Sequence, residues 1–368
     1  MKRQHLAVSL LLAWATAIPT VAQHRADQQH LTDPQAFTFI MMGDPQNYVK
    51  YTINQPLYEL TTVWAKDNVE NLNVKAVLIT GDNVNHNEWL PMKRDKTGNQ
   101  SSKQMWEWTS HCLERLDNIV PYVVSSGNHD YGYMRGDEPF THYPEYITME
   151  RNSKNMECIV AAFPNKEGHV SIENAAYEFS DPNWGSLLII NTEWAPRDEV
   201  LEWAKKLCES DKYKNHKVII QTHSFLAGGK DPRRTTMVGT RYKIQHANQG
   251  QEMWDKLIYP CKNIRLVLCG HAGKNGEVLQ DNTSYRVDKN ADGKKVHQMM
   301  FNNQFIGGGG YGNGGDGWVR ILEFMPDGKT IKIRTYSPLF GISPMTKQYA
   351  HRTSEIDQFD IKIKDWNK

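Results

Sequence analysis

Short apolar runs alternate along this chain with stretches whose apolar residues recur at helical spacing, and that alternation constrains the fold most. Phe37–Met42, Ala76–Thr80, Tyr122–Ser125, Leu187–Asn191, Val218–Thr222 and Ile264–Cys269 are continuous apolar runs, as expected of strands covered on both faces. Between them the spacing predicts helices over Pro56–Leu72, Lys103–Ile119, Arg197–Cys208 and Gln251–Ile258. The class is therefore α/β. After Gly270 the pattern changes. Tyr285–Val287, Val296–Asn302, Val319–Phe324, Ile331–Tyr336 and Phe359–Ile363 are strand-like with no helix between them, which predicts antiparallel sheet extending the same body.

Before the first strand, Lys2 and Arg3 precede the apolar run Leu6 to Ile18, and Thr20-Val21-Ala22 offers a small-x-small cleavage site. This order is that of a secretory signal peptide, with Gln23 as the mature N-terminus. The expected organisation is a signal peptide over 1–22, a tail over 23–35, a core over 36–275 and a β-rich extension of the same domain over 276–368. The protein is then expected to be periplasmic or secreted, with no membrane span. A formal net charge of +1 over 368 residues leaves no global field to hold nucleic acid or a membrane surface. No obligate protein partner is indicated. The five cysteines are widely spaced, without a CxxC, and are expected to be buried apolar thiols.

What ends each strand carries the chemistry. The first run ends in Gly43-Asp44, the second in TGDNVN with Asp82, and the third in SSGNHD with Asn128, His129 and Asp130. Later runs end in QTHS with His223 and in CGHAG with His271. Five strand ends thus deliver a carboxylate, an amide or an imidazole, and the carboxyl ends of strands are where open α/β sheets place their sites.

These motifs resemble those of the calcineurin-like metallophosphoesterases, whose pattern is D-x-H, G-D-x-x-D, G-N-H-[DE], a lone H and G-H-x-H in this order. The resemblance covers about Phe37 to Gly273. It implies a four-layer α-β-β-α sandwich with two mixed β-sheets and a two-metal centre at the strand ends. By resemblance, Asp44 and Gln46 hold a first divalent metal and Asp82 bridges the two. Asn128, His223 and His271 then hold the second, with His129 as the acid near a small phosphorylated substrate. Two metals about 3.5–4 Å apart share a hydroxide and clamp a phosphate. An imidazolium that protonates the leaving group is worth roughly 10²–10⁴-fold.

Three residues depart from the family pattern. Gln46 stands for histidine, though its side-chain carbonyl is a legitimate oxygen ligand for a hard cation. Gly273 stands for the second histidine of the last motif. Asn85 stands for the aspartate that orients the acidic histidine; it can still hydrogen-bond the ring, and Asp130 is a candidate substitute. The copy of DPQ at Asp33-Pro34-Gln35 follows no strand and reads as chance. Lys230, Arg233, Arg234, Arg241 and Lys243 form a candidate anion-gripping rim, and Tyr311 in the glycine-rich run Gly307 to Trp318 a candidate stacking surface.

The sequence thus points to an exported phosphoesterase with two divalent ions (Mn, Fe, Zn or Mg), the second bound more tightly than the first. A phosphomonoesterase is favoured over a diesterase. The competing reading is a non-catalytic binding protein with a degenerate first metal site.

Overall fold

The computed structural model describes residues 29–88, 98–133, 135–228, 244, 247–274, 282–364 and 366. The signal-like segment and the basic residues Lys230, Arg233, Arg234, Arg241 and Lys243 lie outside them. Two mixed seven-stranded sheets form the body. The first contains β1 (Phe37–Met42), β2 (Val74–Ile79), β3 (Tyr122–Val124), β11 (Val319–Phe324), β12 (Thr330–Tyr336), β13 (His351–Arg352) and β14 (Phe359–Lys362). The second contains β4 (Ile159–Pro164), β5 (Val170–Asp181), β6 (Gly185–Asn191), β7 (Lys217–Gln221), β8 (Ile264–Cys269), β9 (Thr283–Lys289) and β10 (Lys295–Phe301). Strand order is β13-β12-β11-β1-β2-β3 in the first, with β14 also on β12, and β4-β5-β6-β7-β8-β10-β9 in the second.

The continuous apolar runs follow from this stacking. In β6, Leu187 and Ile189 enter the large cluster shared with the first sheet. Leu188 and Ile190 face the other way and pack with Leu201 and Ala204 of the helix Asp198–Glu209. A period of two with both faces buried leaves no polar alternation to see. The helices α2 (Gln55–Asp67) and Ser102–Glu114 carry Trp64 and Trp106 into the large cluster. All five cysteines are buried and free. Among the described residues no helix is long and apolar enough to cross a membrane.

The strands after Gly270 do not form one antiparallel extension. They divide between the sheets, and β10 runs parallel to β8, with His297 to Met300 opposite Leu266 to Cys269. β11 instead joins β1 along its whole length, Phe37 opposite Phe324 through Met42 opposite Val319. Helix lengths also differ. The segment expected to be helical to Leu72 ends at Asp67, where Asn68 turns its side chain back onto the Trp64 carbonyl at 2.9 Å. The described end of the tail is docked rather than loose, since the Gln29 amide donates to Asn68 Oδ1 at 3.0 Å and the Thr32 hydroxyl to Glu323 Oε2 at 2.8 Å. Asp33-Pro34-Gln35 makes an exposed turn in which the Gln35 amide donates to Asp33 Oδ1 at 2.9 Å.

Candidate metal centre

Parallel strands β1, β2 and β3 of one sheet and β7 and β8 of the other end together, and their last turns bring the motif residues to one place. Asp44 follows β1, and Gln46 opens the short helix α1 (Gln46–Val49). Asp82 follows β2, Asn128 and His129 follow β3, His223 follows β7 and His271 follows β8. Asp82 and His271 both take left-handed backbone, at φ 53° and 69°, which costs energy for residues with a Cβ and marks functional sites.

His223 is the centre of the cluster. Its Nδ1 donates to the Thr80 carbonyl at 2.7 Å, and a carbonyl only accepts, so the other nitrogen faces the cluster. Around that Nε2 stand Asp82 Oδ1 at 3.3 Å, Asn128 Oδ1 at 3.3 Å and His271 Nδ1 at 3.1 Å. Ligand atoms of Asp82, His223 and His271 all lie within 4.8 Å of one another, which suits a cation. Burial pushes His223 down, but Asp82 and Asp44 outweigh it and hold its pKa above the usual imidazole range. Burial likewise raises Asp44 despite His223. For Asp82, His223 and His129 overcome burial and keep its carboxyl below the usual range. Positive charge is therefore favoured where these carboxylates meet.

Close approach explains the glycine before His271. A Cβ at Gly270 would lie 2.2 Å from Asp44 Oδ1 and 2.5 Å from Thr80 Oγ1, so the last strand end must pass bare against the first.

The Asp44 side is built differently. Asp44 accepts from Thr80 Oγ1 at 3.0 Å, from the His271 amide at 3.0 Å and from Gln304 Nε2 at 3.1 Å. The other end of the Gln304 amide accepts from Gln46 Nε2. Gln46 Oε1 is buried and makes no hydrogen bond among the described residues, the condition of an oxygen placed to ligate. Gln304 is a residue that the motif reading missed. It follows β10 by three positions, so the strand-end rule that picked out the others applies to it too. The missing histidine at Gly273 has a steric counterpart. A Cβ there would lie 2.4 Å from Asn282 Oδ1 and 2.8 Å from the Phe305 ring, so the loop carrying Gln304 fills that space.

His129 is buried, and its amide donates to Asp82 Oδ1 at 2.9 Å. Its Nδ1 meets the backbone carbonyl of Asn85 at 2.6 Å. The expected contact from the Asn85 side chain is not what is found: that amide lies 3.1 Å from Nε2 of His86, whose ring is 6.1 Å from the His129 ring. Nor does Asp130 orient the imidazole. Its carboxylate accepts from the amides of Val84 at 3.1 Å and Gly127 at 2.7 Å and from Asn83 Nδ2 at 2.8 Å, which fixes the turn. Burial pushes His129 down to about 4, with Asp82 opposing and Arg135 adding to the fall. Tyr311 is exposed on the glycine-rich loop, while Arg233 and Arg234 lie outside the described residues.

A family model described as calcineurin-like phosphoesterase matches residues 32–274, and the chain belongs to that family. Uncharacterized protein YvnB of Bacillus subtilis (strain 168) is 25% identical over 306 residues. That match takes in 82% of this chain but 20% of the relative, so the chain spans about a fifth of its length. Among solved structures, a dimetal phosphatase from Danio rerio is 11% identical with a TM-score of 0.48, covering 90% of this chain and 100% of that one. GAP50, the anchor in the inner membrane complex of Plasmodium, is 12% identical with a TM-score of 0.43, covering 89% of each chain.

Proposed function

We propose that the protein is an exported phosphoesterase, with phosphomonoesters favoured, that holds two divalent ions between its sheets. The observation that carries this reading is the surround of His223 Nε2, where three donor atoms lie within 3.3 Å while Nδ1 is committed to a backbone carbonyl. Asp82, Asn128, His223 and His271 would hold one ion. Asp44, Gln46 and the shared Asp82 would hold the other, with Gln304 beside them. Bound there, the ions would activate a water and neutralise the phosphoryl oxygens.

The remaining work falls to the chain's own groups. His129 is anchored through its amide to Asp82 and through Nδ1 to the Asn85 carbonyl, so Nε2 is the ring atom left to handle a proton. A phosphate dianion beside the ring supplies the charge that burial and Arg135 withhold, and the acidic form is reached as substrate binds. Imidazole nitrogens favour Zn, Fe or Mn on the His223 side, and the all-oxygen Asp44 side suits a harder ion such as Mg or Mn.

Metal analysis of the protein as purified, with hydrolysis of 4-nitrophenyl phosphate and bis(4-nitrophenyl) phosphate after loading with Mn, Zn or Mg, tests the proposal. Turnover of the monoester with bound metal is expected. Bound metal without turnover of either ester would favour the binding-protein reading. Export rests on the Lys2-Arg3 and Leu6–Ile18 order alone, and N-terminal sequencing of secreted or periplasmic material should begin at Gln23.

A further inference from the structure

Lys50 directly follows α1, one turn beyond Gln46, and its amide donates to the Gln46 carbonyl at 3.3 Å. Only 7% of it is exposed, yet its ammonium has no ion pair or hydrogen bond among the described residues. It has two aromatic neighbours instead, the rings of Tyr51 at 5.4 Å and Tyr311 at 6.0 Å. Among the described residues, another withdrawn ammonium is paired. The ammonium of Lys166, equally withdrawn from water, meets Glu193 at 3.0 Å. A buried cation without a counter-charge is costly, and burial lowers the Lys50 pKa to about 8 with Arg135 adding to the fall.

Arg135 is the second cation. It lies six residues beyond His129, is exposed, and holds φ at 67°, a left-handed value that an arginine adopts at a cost. Its charge acts on both Lys50 and His129, so it stands within electrostatic reach of each. No ion pair to a carboxylate engages it among the described residues. The glycine-rich loop completes the arrangement. It is pinned to α1 and the turn after it through Gly317 N to Tyr48 Oη at 3.0 Å and Asn54 Nδ2 to the Gly312 carbonyl at 2.7 Å, and it carries Tyr311, 72% exposed, beside Lys50.

We propose that Lys50 and Arg135 form a second anion subsite beside the metal centre, with Tyr311 at its rim, and that the subsite takes a phosphate group of the substrate other than the one being cleaved. The preferred substrates are then phosphoesters that carry a further phosphate. Two cationic side chains match a phosphate dianion in charge, and the aromatic ring covers the part of the substrate that joins the two phosphates. The inference rests on the phosphoesterase reading for the scissile group only.

The test compares the metal-loaded wild type with Lys50→Gln and Arg135→Gln. The substrates are fructose 6-phosphate, fructose 1,6-bisphosphate and 3-phosphoglycerate, with 4-nitrophenyl phosphate as reference. Wild type should favour the bisphosphate over the monophosphate about tenfold in kcat/KM, and each variant should lower that ratio about tenfold, mainly through KM. No preference in the wild type, or an equal preference in wild type and both variants, would overturn the subsite. A gain for 3-phosphoglycerate as large as for the bisphosphate would overturn the assignment to phosphate. If the wild type hydrolyses none of the four, the phosphoesterase reading fails. Calorimetric binding of fructose 1,6-bisphosphate then decides the subsite by itself: weaker binding by both variants supports it, and equal binding by all three proteins refutes it.

Discussion

On one side of Asp82 stand two imidazoles and an amide; on the other stand Asp44 and two glutamines. The first group is held through atoms that cannot move without moving a strand, since His223 is tied to the Thr80 carbonyl at 2.7 Å and His271 rides on a left-handed backbone after β8. The second is held by amides that hold one another, Gln304 reaching Asp44 at 3.1 Å and also accepting from Gln46. Amide pairs of this kind can reorient, and they bring no charge and no nitrogen lone pair. The comparison teaches that one side of the cluster can be fixed by strand ends while the other is assembled around Asp44 from neutral amides.

The largest effect that tests this comparison belongs to Asp82, the residue common to both sides. Asp82→Asn should strip metal from both proposed sites and lower kcat/KM by more than about 100-fold, because the charge they would share is lost, while the asparagine oxygen can still accept from the His129 amide. Elemental analysis and turnover on one preparation would check it. Full metal content in this variant would mean that the two sides do not share a ligand.

Next comes His129, which is held by Asp82 and the Asn85 carbonyl. His129→Ala should slow esters of poor leaving groups about 10²–10⁴-fold and activated aryl esters far less, with metal content nearly unchanged. An equal loss on both kinds of ester would refute the acid role and leave His129 as an electrostatic support.

A smaller, graded effect separates the two sides directly. Dialysis against chelator should empty the Asp44 side first, and Gln46→His should tighten that side roughly 10- to 100-fold and shift it towards softer metals. Anomalous scattering from crystals before and after dialysis reads each side separately. An emptied His223 side beside a full Asp44 side would reverse the ranking.

Much of this was legible in the chain itself, and the reasons are physical. Strands buried on both faces appear as apolar runs, so β1 and β8 are readable to the residue. Four of the five motif residues at strand ends follow a glycine, Gly43, Gly81, Gly127 and Gly270, because neighbouring groups pass within contact of each; His223 follows Thr222 instead. Strands β4 and β5 were not legible. The run SIENAAYEF buries Glu173 and Asn174, which are satisfied by Asn165 Nδ2 at 2.7 Å and by Glu193 at 2.8 Å, and this polar pairing hides the strand pattern. Lys50 and Arg135 carry no motif, and nothing in the sequence pattern pairs them. Asn85 misled because a motif position specifies a residue, whereas the ring is held by that residue's backbone.

The family's second histidine gives a smaller prediction about stability. Gly273→His places a side chain where Asn282 and Phe305 already pack, at 2.4 and 2.8 Å from the added Cβ. Overpacking of this sort costs about 1–3 kcal/mol, so thermal unfolding should shift downward without a gain in metal on the Asp44 side. Tighter metal binding on the Asp44 side at unchanged stability would show that the Gln304 loop yields and that Gly273 is not confined by it.

Smallest of all should be Asn85→Ala. The Asn85 group that meets the His129 ring is a main-chain carbonyl at 2.6 Å, and alanine keeps it. What alanine removes includes the amide that contacts His86 at 3.1 Å, a hydrogen bond of about 0.5–1.5 kcal/mol. A modest fall in melting temperature is therefore expected, with kcat/KM on poor leaving groups lowered by less than about fivefold, far from the His129→Ala loss. The comparison must use the same poorly activated ester for both variants, since an aryl ester hides any defect in proton transfer. If Asn85→Ala matched His129→Ala on that ester, the side chain at position 85 would be acting on the imidazole during turnover, and the backbone carbonyl alone would not account for its orientation.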